Sequence, residues 1–258
     1  MVTNSKPTLV VPPRGAPMDQ AFAFHEYSAE VFWRRFGGRP DVSGQRVLDF
    51  GSSTGGMLQN LLAAGAREVV GIDISTKAID YSRSRLKPEW GDRVDIRLGD
   101  IRSEDIAPVD VIVSQNTLEH VMPLQDSLKA LVDKCKKGGD IYLGFSPLWY
   151  SPFGNHQYPP GKLPWRHLWQ GDDLVLNAMR RIAGLDYSTI HDAGFNKATP
   201  KDFFRTFRSL PVEVVSLKTN VTEGRLKQAA MGVASLLSKL PLMERFLTIG
   251  IYAHFRRV

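Results

Sequence analysis

Short apolar runs alternate along this chain with segments of helical spacing. Residues 46–50, 69–74, 94–98, 110–113 and 140–145 read as strands. The run at 69–74 is almost continuously apolar, as expected of a strand covered on both faces. The run at 94–98 alternates apolar with charged residues, which places it nearer a sheet edge. Between these runs, 57–64, a segment from the cap at Ser75 to about Lys87, and 124–137 carry apolar residues at helical intervals. Gly138-Gly139 is expected to close the helix over 124–137. Ahead of the first strand, 21–36 predicts an amphipathic helix bearing Phe22, Val31, Phe32 and Phe36, ending at Gly37-Gly38. That helix either caps a ligand cleft, with His25 and Tyr27 facing it, or packs on the outside of the sheet. Repeated β–α units imply a parallel, right-handed, doubly wound sheet. Further on, 212–217 and 250–256 read as two more strands, and 223–246 between them is mostly helical, with a break at Pro241.

The first strand runs into Gly51-Ser-Ser-Thr-Gly55, and a helix follows. A strand turning through glycines into a helix brings backbone N–H groups up to a ligand. Asp73 closes the second strand at a spacing from that loop suited to accept hydrogen bonds from both hydroxyls of a ribose. Asp100-Ile101 follows the third strand, and a carboxylate beside an aliphatic side chain suits the amine and face of an adenine. Gln115 and His120 follow the fourth strand. All four positions fall at the carboxyl edge of the sheet, where such folds bind ligands.

The segments Val47-Leu-Asp-Phe-Gly-Ser-Ser-Thr-Gly55, Val70-Gly-Ile-Asp-Ile-Ser75, Gly99-Asp-Ile101, Asn116-Thr-Leu-Glu-His-Val121 and Lys137-Gly-Gly139 together resemble the ordered motif set of class I S-adenosylmethionine (SAM)-dependent methyltransferases. The likeness covers about residues 44–146. It implies a Rossmann-like α/β fold with a doubly wound, seven-stranded sheet and an antiparallel last strand. It also implies S-adenosyl-L-methionine as cofactor. Gly51, Ser53, Thr54 and Gly55 would line the methionine end, Asp73 and Ile74 the ribose, and Asp100 and Ile101 the adenine, with Asp49 a further cofactor-binding residue. Gln115 would approach the methionine end through its backbone. Ser53 stands where that family commonly has glycine. A nicotinamide fingerprint fits less well, because it needs glycine at position 53.

Residues 1–18 read as a flexible, proline-punctuated arm and 19–258 as one domain, with 146–200 inserted after the fifth strand and 223–246 as a helical elaboration. The first half of the insertion holds three of the chain's five tryptophans, five prolines, His156 and His167. Such a stretch at the ligand edge suits a substrate lid, and aromatic faces suit a sugar or a flat ring; a local core or a dimer contact is the alternative. The segments Ser151-Pro-Phe-Gly-Asn-His156 and Pro164-Trp-Arg-His-Leu168 resemble a bacterial subgroup of these methyltransferases associated with glycans, glycolipids and natural products. An unactivated hydroxyl needs a base in an in-line methyl transfer, and histidine has a suitable pKa. His120, His156 and His167 are the candidates. No histidine–carboxylate cluster with recognisable metal spacing stands out, although scattered carboxylates could hold Mg²⁺. The expected activity is O-methylation of a saccharide, glycolipid or glycosylated metabolite, with a phenol, quinone or polyketide acceptor, or a non-catalytic SAM-binding subunit, as alternatives.

Charge is uneven. Residues 1–196 carry a net −1 and residues 197–258 a net +7, making up the overall +6. A basic amphipathic helix over 225–240 would suit an acidic membrane surface, or packing on the sheet or on a second subunit as a homodimer. A nucleic-acid partner is not expected, since no separate binding module or base-flipping segment follows the fourth strand. One cysteine, Cys135, excludes an intramolecular disulfide and agrees with a cytoplasmic setting, as does the lack of a signal peptide or an apolar run long enough to span a membrane.

Overall fold

The computed structural model describes residues 16–258 apart from 157, 162, 223, 224 and 241. Most of the arm expected over 1–18 lies outside the described residues. Seven strands form one sheet: β1 (Arg46–Phe50), β2 (Glu68–Asp73), β3 (Val94–Leu98), β4 (Val109–Gln115), β5 (Cys135–Phe145), β6 (Val212–Thr219) and β7 (Ile251–Arg257). Their order is β3-β2-β1-β4-β5-β7-β6. β1 to β5 pair in parallel, and β7 inserts antiparallel between β5 and β6. This is the doubly wound sheet with a reversed last strand that the pattern predicts, with β3 at one edge. From β1 the chain builds outward to β2 and β3, then returns across to β4. The crevice between the carboxyl ends of β1 and β4 is therefore the switch point, where open α/β sheets bind ligands.

Both faces are covered, as the apolar strands require. One carries α1 (Met18–Phe36), α2 (Gly56–Ala63) and α3 (Thr76–Trp90). Phe22, Phe32, Trp33, Leu58, Leu61 and Ile79 pack there on Val47, Val69 and Val113. The other face carries α4 (Leu124–Asp133) and, later in the chain, α7 (Pro200–Arg208). Leu128, Leu131, Phe203 and Phe207 meet Leu48, Ile72, Ile112 and Leu143 there. Neighbouring residues such as Val47 and Leu48 thus enter opposite cores, as strand alternation demands.

One expectation needs correction. The helix over 124–137 stops at Asp133, and β5 begins at Cys135. Cys135 is fully buried and pairs in register with Val109, whose N–H donates to the Lys134 carbonyl. Sheet pairing thus overrides the helical spacing, and Gly138-Gly139 lies within the strand. The segment over 223–246 is mostly helical and interrupted, as its pattern predicts, with α8 (Arg225–Leu237) and α9 (Glu244–Leu247).

The insertion after β5 holds α5 (Arg166–Gln170) and α6 (Asp172–Ala183). It has its own small core of Trp149, Tyr158, Val175, Met179, Ile190 and Phe195. Trp149 and Tyr158 are buried within it, so the aromatic richness of this stretch is in part packing, whereas Phe153 and Trp169 remain exposed.

Candidate functional site

Three strand ends meet at the switch point. Gly51 follows β1 with φ +81°, a backbone region that favours glycine. A Cβ there would fall inside the Thr117 side chain, which comes from the turn after β4. The N–H groups of Gly51 and Ser52 donate to the Ile72 carbonyl at 2.9 and 3.1 Å, tying the loop to β2. Asp73, at the end of β2, accepts from the Ser53 N–H at 2.9 Å and from the Ser75 N–H at 2.8 Å. Its carbonyl accepts from the Gly99 N–H at 3.0 Å, which fixes the start of the turn carrying Asp100. Gly51, Ser53, Asp73 and Asp100 thus share one rim through direct backbone ties.

Ser53 has φ +47°. A serine where the resembled family favours glycine is held in the left-handed region by the Asp73 carboxylate, at roughly 1–2 kcal/mol of strain. Thr54 is buried, and its hydroxyl lies 2.7 Å from His25 Nδ1. Burial lowers the His25 pKa, partly offset by Asp73, so the ring is neutral near pH 7. α1 packs on the sheet through Phe22, Ala29, Phe32 and Trp33, while His25 meets the glycine loop at Thr54 and Ser28 meets Gln115 at the end of β4. A Cβ on Gly56 would strike the backbone of His25 and Glu26. Tyr27 is not directed at this rim; it lines a surface recess with Glu30, Arg39 and Asn60.

Asp49 is buried under the loop, and its Oδ2 has no hydrogen-bond partner; the nearby Ser52 and Ser82 hydroxyls are in the same position. Burial, with Asp73 adding repulsion, pushes the Asp49 pKa up to about 8. Asp100 is clasped by Arg102 through two side-chain contacts of 2.6 and 3.0 Å, which hold its pKa below the usual carboxylate range. Ile101 is corrected: it is buried in the main core and presents no face at the rim. The exposed aliphatic groups there are Ile74, at 80% exposure, and Leu98, at 41%. Gln115 uses its side chain to hold α1, donating to the Ser28 carbonyl at 3.0 Å, while its own carbonyl accepts from the Thr117 hydroxyl at 3.1 Å.

The turn after β4, Leu118–His120, carries a second group of polar residues. His120 and His156 come from separate segments, yet their rings meet edge to face at 4.9 Å, and Phe195 packs on both. His120 Nδ1 lies 2.7 Å from the Gly194 carbonyl, and His156 Nε2 lies 2.9 Å from the Pro147 carbonyl. Asn196 bridges from the insertion to the same turn, donating to the Leu118 carbonyl at 2.7 Å and the Val121 carbonyl at 3.1 Å. His167 is not brought to this pair. It is buried against Trp149, with Nε2 2.6 Å from the Trp149 carbonyl, and burial lowers its pKa. It supports the core of the insertion.

Sequence reasoning missed Thr117 and Glu119. Glu119 lies in a quoted motif, but only the fold shows its carboxylate to be buried, with neither oxygen in a hydrogen bond of ordinary geometry. Burial pushes its pKa up to about 8, partly offset by the backbone N–H groups of Glu119 and Ser146.

The strand order and the glycine loop define an α/β fold of methyltransferase architecture. Residues 47–139 match the family described as a methyltransferase domain. Over that part of the sequence the chain is similar to methyltransferase domains. It is 33% identical over 108 residues to a ubiquinone biosynthesis O-methyltransferase of Azoarcus sp. (strain BH72), covering 41% of this chain and 46% of that one. It is 36% identical over 78 residues to a magnesium-protoporphyrin O-methyltransferase of Rhodobacter capsulatus, covering 30% and 34%. The chain thus spans less than half the length of these two relatives. In fold it is similar to an S-adenosylmethionine dependent methyltransferase from Mesorhizobium loti, with a TM-score of 0.53 at 15% identity, covering 93% of this chain and 100% of that one. It is also similar to the magnesium protoporphyrin IX methyltransferase from Synechocystis PCC 6803 with bound SAH, with a TM-score of 0.55 at 14% identity, covering 94% and 88%.

Proposed function

We propose that this chain transfers a methyl group from SAM to a hydroxyl of a small-molecule acceptor. The observation that carries the reading is the junction of Gly51, Asp73 and Thr117 at one rim, tied by the Ser53 and Gly99 N–H groups. The residues present fit the cofactor. The loop is packed closely enough at Gly51, Gly55 and Gly56 that only glycine fits, and Asp49 Oδ2 is a buried acceptor in want of a donor such as an ammonium group. Asp73 would hold the ribose hydroxyls, since each of its oxygens keeps a lone pair beyond its backbone bond. Asp100 would take the adenine amine, sharing its oxygens with Arg102, and Ile74 would cover the ring. When bound, SAM supplies an electrophilic methyl on a sulfonium.

The chain's part is positioning, exclusion of water and removal of the acceptor's proton. His120 suits the last role. A carbonyl only accepts, so the Nδ1 facing the Gly194 carbonyl bears the proton and Nε2 is the basic nitrogen of the neutral ring. His156 is the second candidate, through Nδ1, because its Nε2 faces the Pro147 carbonyl. A histidine base favours an acceptor that does not ionise on its own, and we take a sugar hydroxyl of a saccharide, glycolipid or glycosylated metabolite as the leading class. The second reading, a phenol of a quinone precursor, draws on the relatives named for ubiquinone biosynthesis. The insertion over 146–200 serves as the lid over this acceptor.

Val233, Leu236, Leu237 and Leu240 are exposed at the end of α8 and just beyond it, which supports contact with a membrane surface or a second copy of the chain. Turnover of SAM against a panel of sugar and phenolic acceptors tests the main reading. Methyl transfer to neither class would refute it, and transfer confined to phenols would select the second reading.

A further inference from the structure

We propose that Glu119, His120 and His156 form a binding site for a divalent transition-metal ion such as Zn²⁺. One oxygen of Glu119 and one ring nitrogen from each histidine all lie within 4.8 Å of one another. A four-coordinate Zn²⁺ with bonds of about 2.1 Å needs ligand atoms roughly 3.4 Å apart. The widest pair must therefore close by at most about 1.4 Å, within reach of rotation of these side chains. Two imidazoles and one carboxylate are a ligand set used by zinc and by other first-row metals with open positions.

Two further features point to a cation here. Glu119 is buried and neither carboxylate oxygen has a hydrogen bond of ordinary geometry, so a bound cation would compensate its ionised form where solvent does not. Each histidine also faces a backbone carbonyl, Gly194 for His120 and Pro147 for His156. Metal-ligating histidines usually donate their second N–H to such a group, which fixes the tautomer and turns the lone-pair nitrogen to the metal. Phe195 packs against both rings and supplies an apolar wall beside the site. The edge-to-face contact of the two rings, at 4.9 Å, would rearrange as the ion binds.

Three protein ligands leave a position open for an acceptor oxygen. That consequence rests on the methyl-transfer reading, whereas the site itself does not. With the ion bound, His120 is a ligand, and coordination takes over the task of lowering the acceptor's pKa.

The test uses the whole chain, stripped with a chelator and titrated with Co²⁺ and then Zn²⁺, without SAM or acceptor. The expected result is one equivalent of Co²⁺ giving visible ligand-field absorption, displaced by Zn²⁺. His156→Gln and Glu119→Gln should each weaken binding at least about tenfold while the far-ultraviolet circular dichroism stays native. Folded wild-type protein that gives no Co²⁺ spectrum would overturn the proposal, as would one equivalent bound equally well by both variants. Where one variant fails to fold, the other decides. Turnover with and without chelator is read separately: metal binding without methyl transfer would sink the enzymatic reading and leave the site standing.

Discussion

Replacing Asp49 by asparagine should make the protein more stable at high pH. The folded carboxyl has its pKa pushed from 3.8 up to about 8, chiefly by burial and secondarily by Asp73. The native state therefore holds this proton more tightly than the unfolded chain. The stabilisation is fully present below about pH 4, declines as pH rises, and is gone above about pH 8. At 1.36 kcal/mol per unit, the gap of about 4 units corresponds to a ceiling of ~5 kcal/mol, and relaxation and water entry leave ~2–3 kcal/mol. Asparagine cannot ionise, and it adds one donor near the unpartnered Ser52 hydroxyl. Urea denaturation at pH 4.5, 7 and 9 in the absence of SAM checks this. The variant should match wild type at the lowest pH and exceed it by ~2–3 kcal/mol at the highest. An equal loss of stability at all three values would show that Asp49 is not a buried, reluctantly ionised group.

Asp73→Ala should weaken SAM binding by at least about a hundredfold in calorimetry, because ribose hydroxyls lose a charged acceptor and the Ser53 N–H is left without one; wild-type affinity would remove the ribose assignment. Ser53→Gly relieves a left-handed serine and should raise stability by about 1 kcal/mol, with thermal unfolding as the measure. Gly51→Ala should lower the melting temperature and abolish measurable SAM binding, since its Cβ meets Thr117; a bound complex with native affinity would contradict the close approach. His120→Ala should cut turnover about 10²–10⁴-fold with SAM affinity preserved, and full activity would pass the base role to His156.

The sheet was legible because its strands are short apolar runs, and Asp73 and Asp100 mark where β2 and β3 leave the core. The end of α4 was not legible. Cys135-Lys-Lys-Gly-Gly139 reads as a helix end, and only pairing with Val109 reveals a strand. The insertion shows why aromatic content is a weak guide to direction: Trp149 and Tyr158 turn inward to a local core, Phe153 and Trp169 outward. Ile101 sits in a recognisable motif yet faces the main core, because the turn after β3 directs it under the sheet's edge. The meeting of His120 with His156 could not be read from either segment, since it depends on how the insertion folds back on the turn after β4. The same holds for His167, whose burial follows from the packing of Trp149.

The hydrogen bonds from Asn196 to the carbonyls of Leu118 and Val121 give the insertion a second mooring. Its first is the covalent one, the chain leaving β5 at Ser146. A segment fastened at both ends bows rather than swings. On the proposed reading of the insertion as a lid, an acceptor would fit under an arch of fixed span, and replacing residues between the two moorings would retune acceptor choice while leaving the glycine-loop half of the molecule untouched.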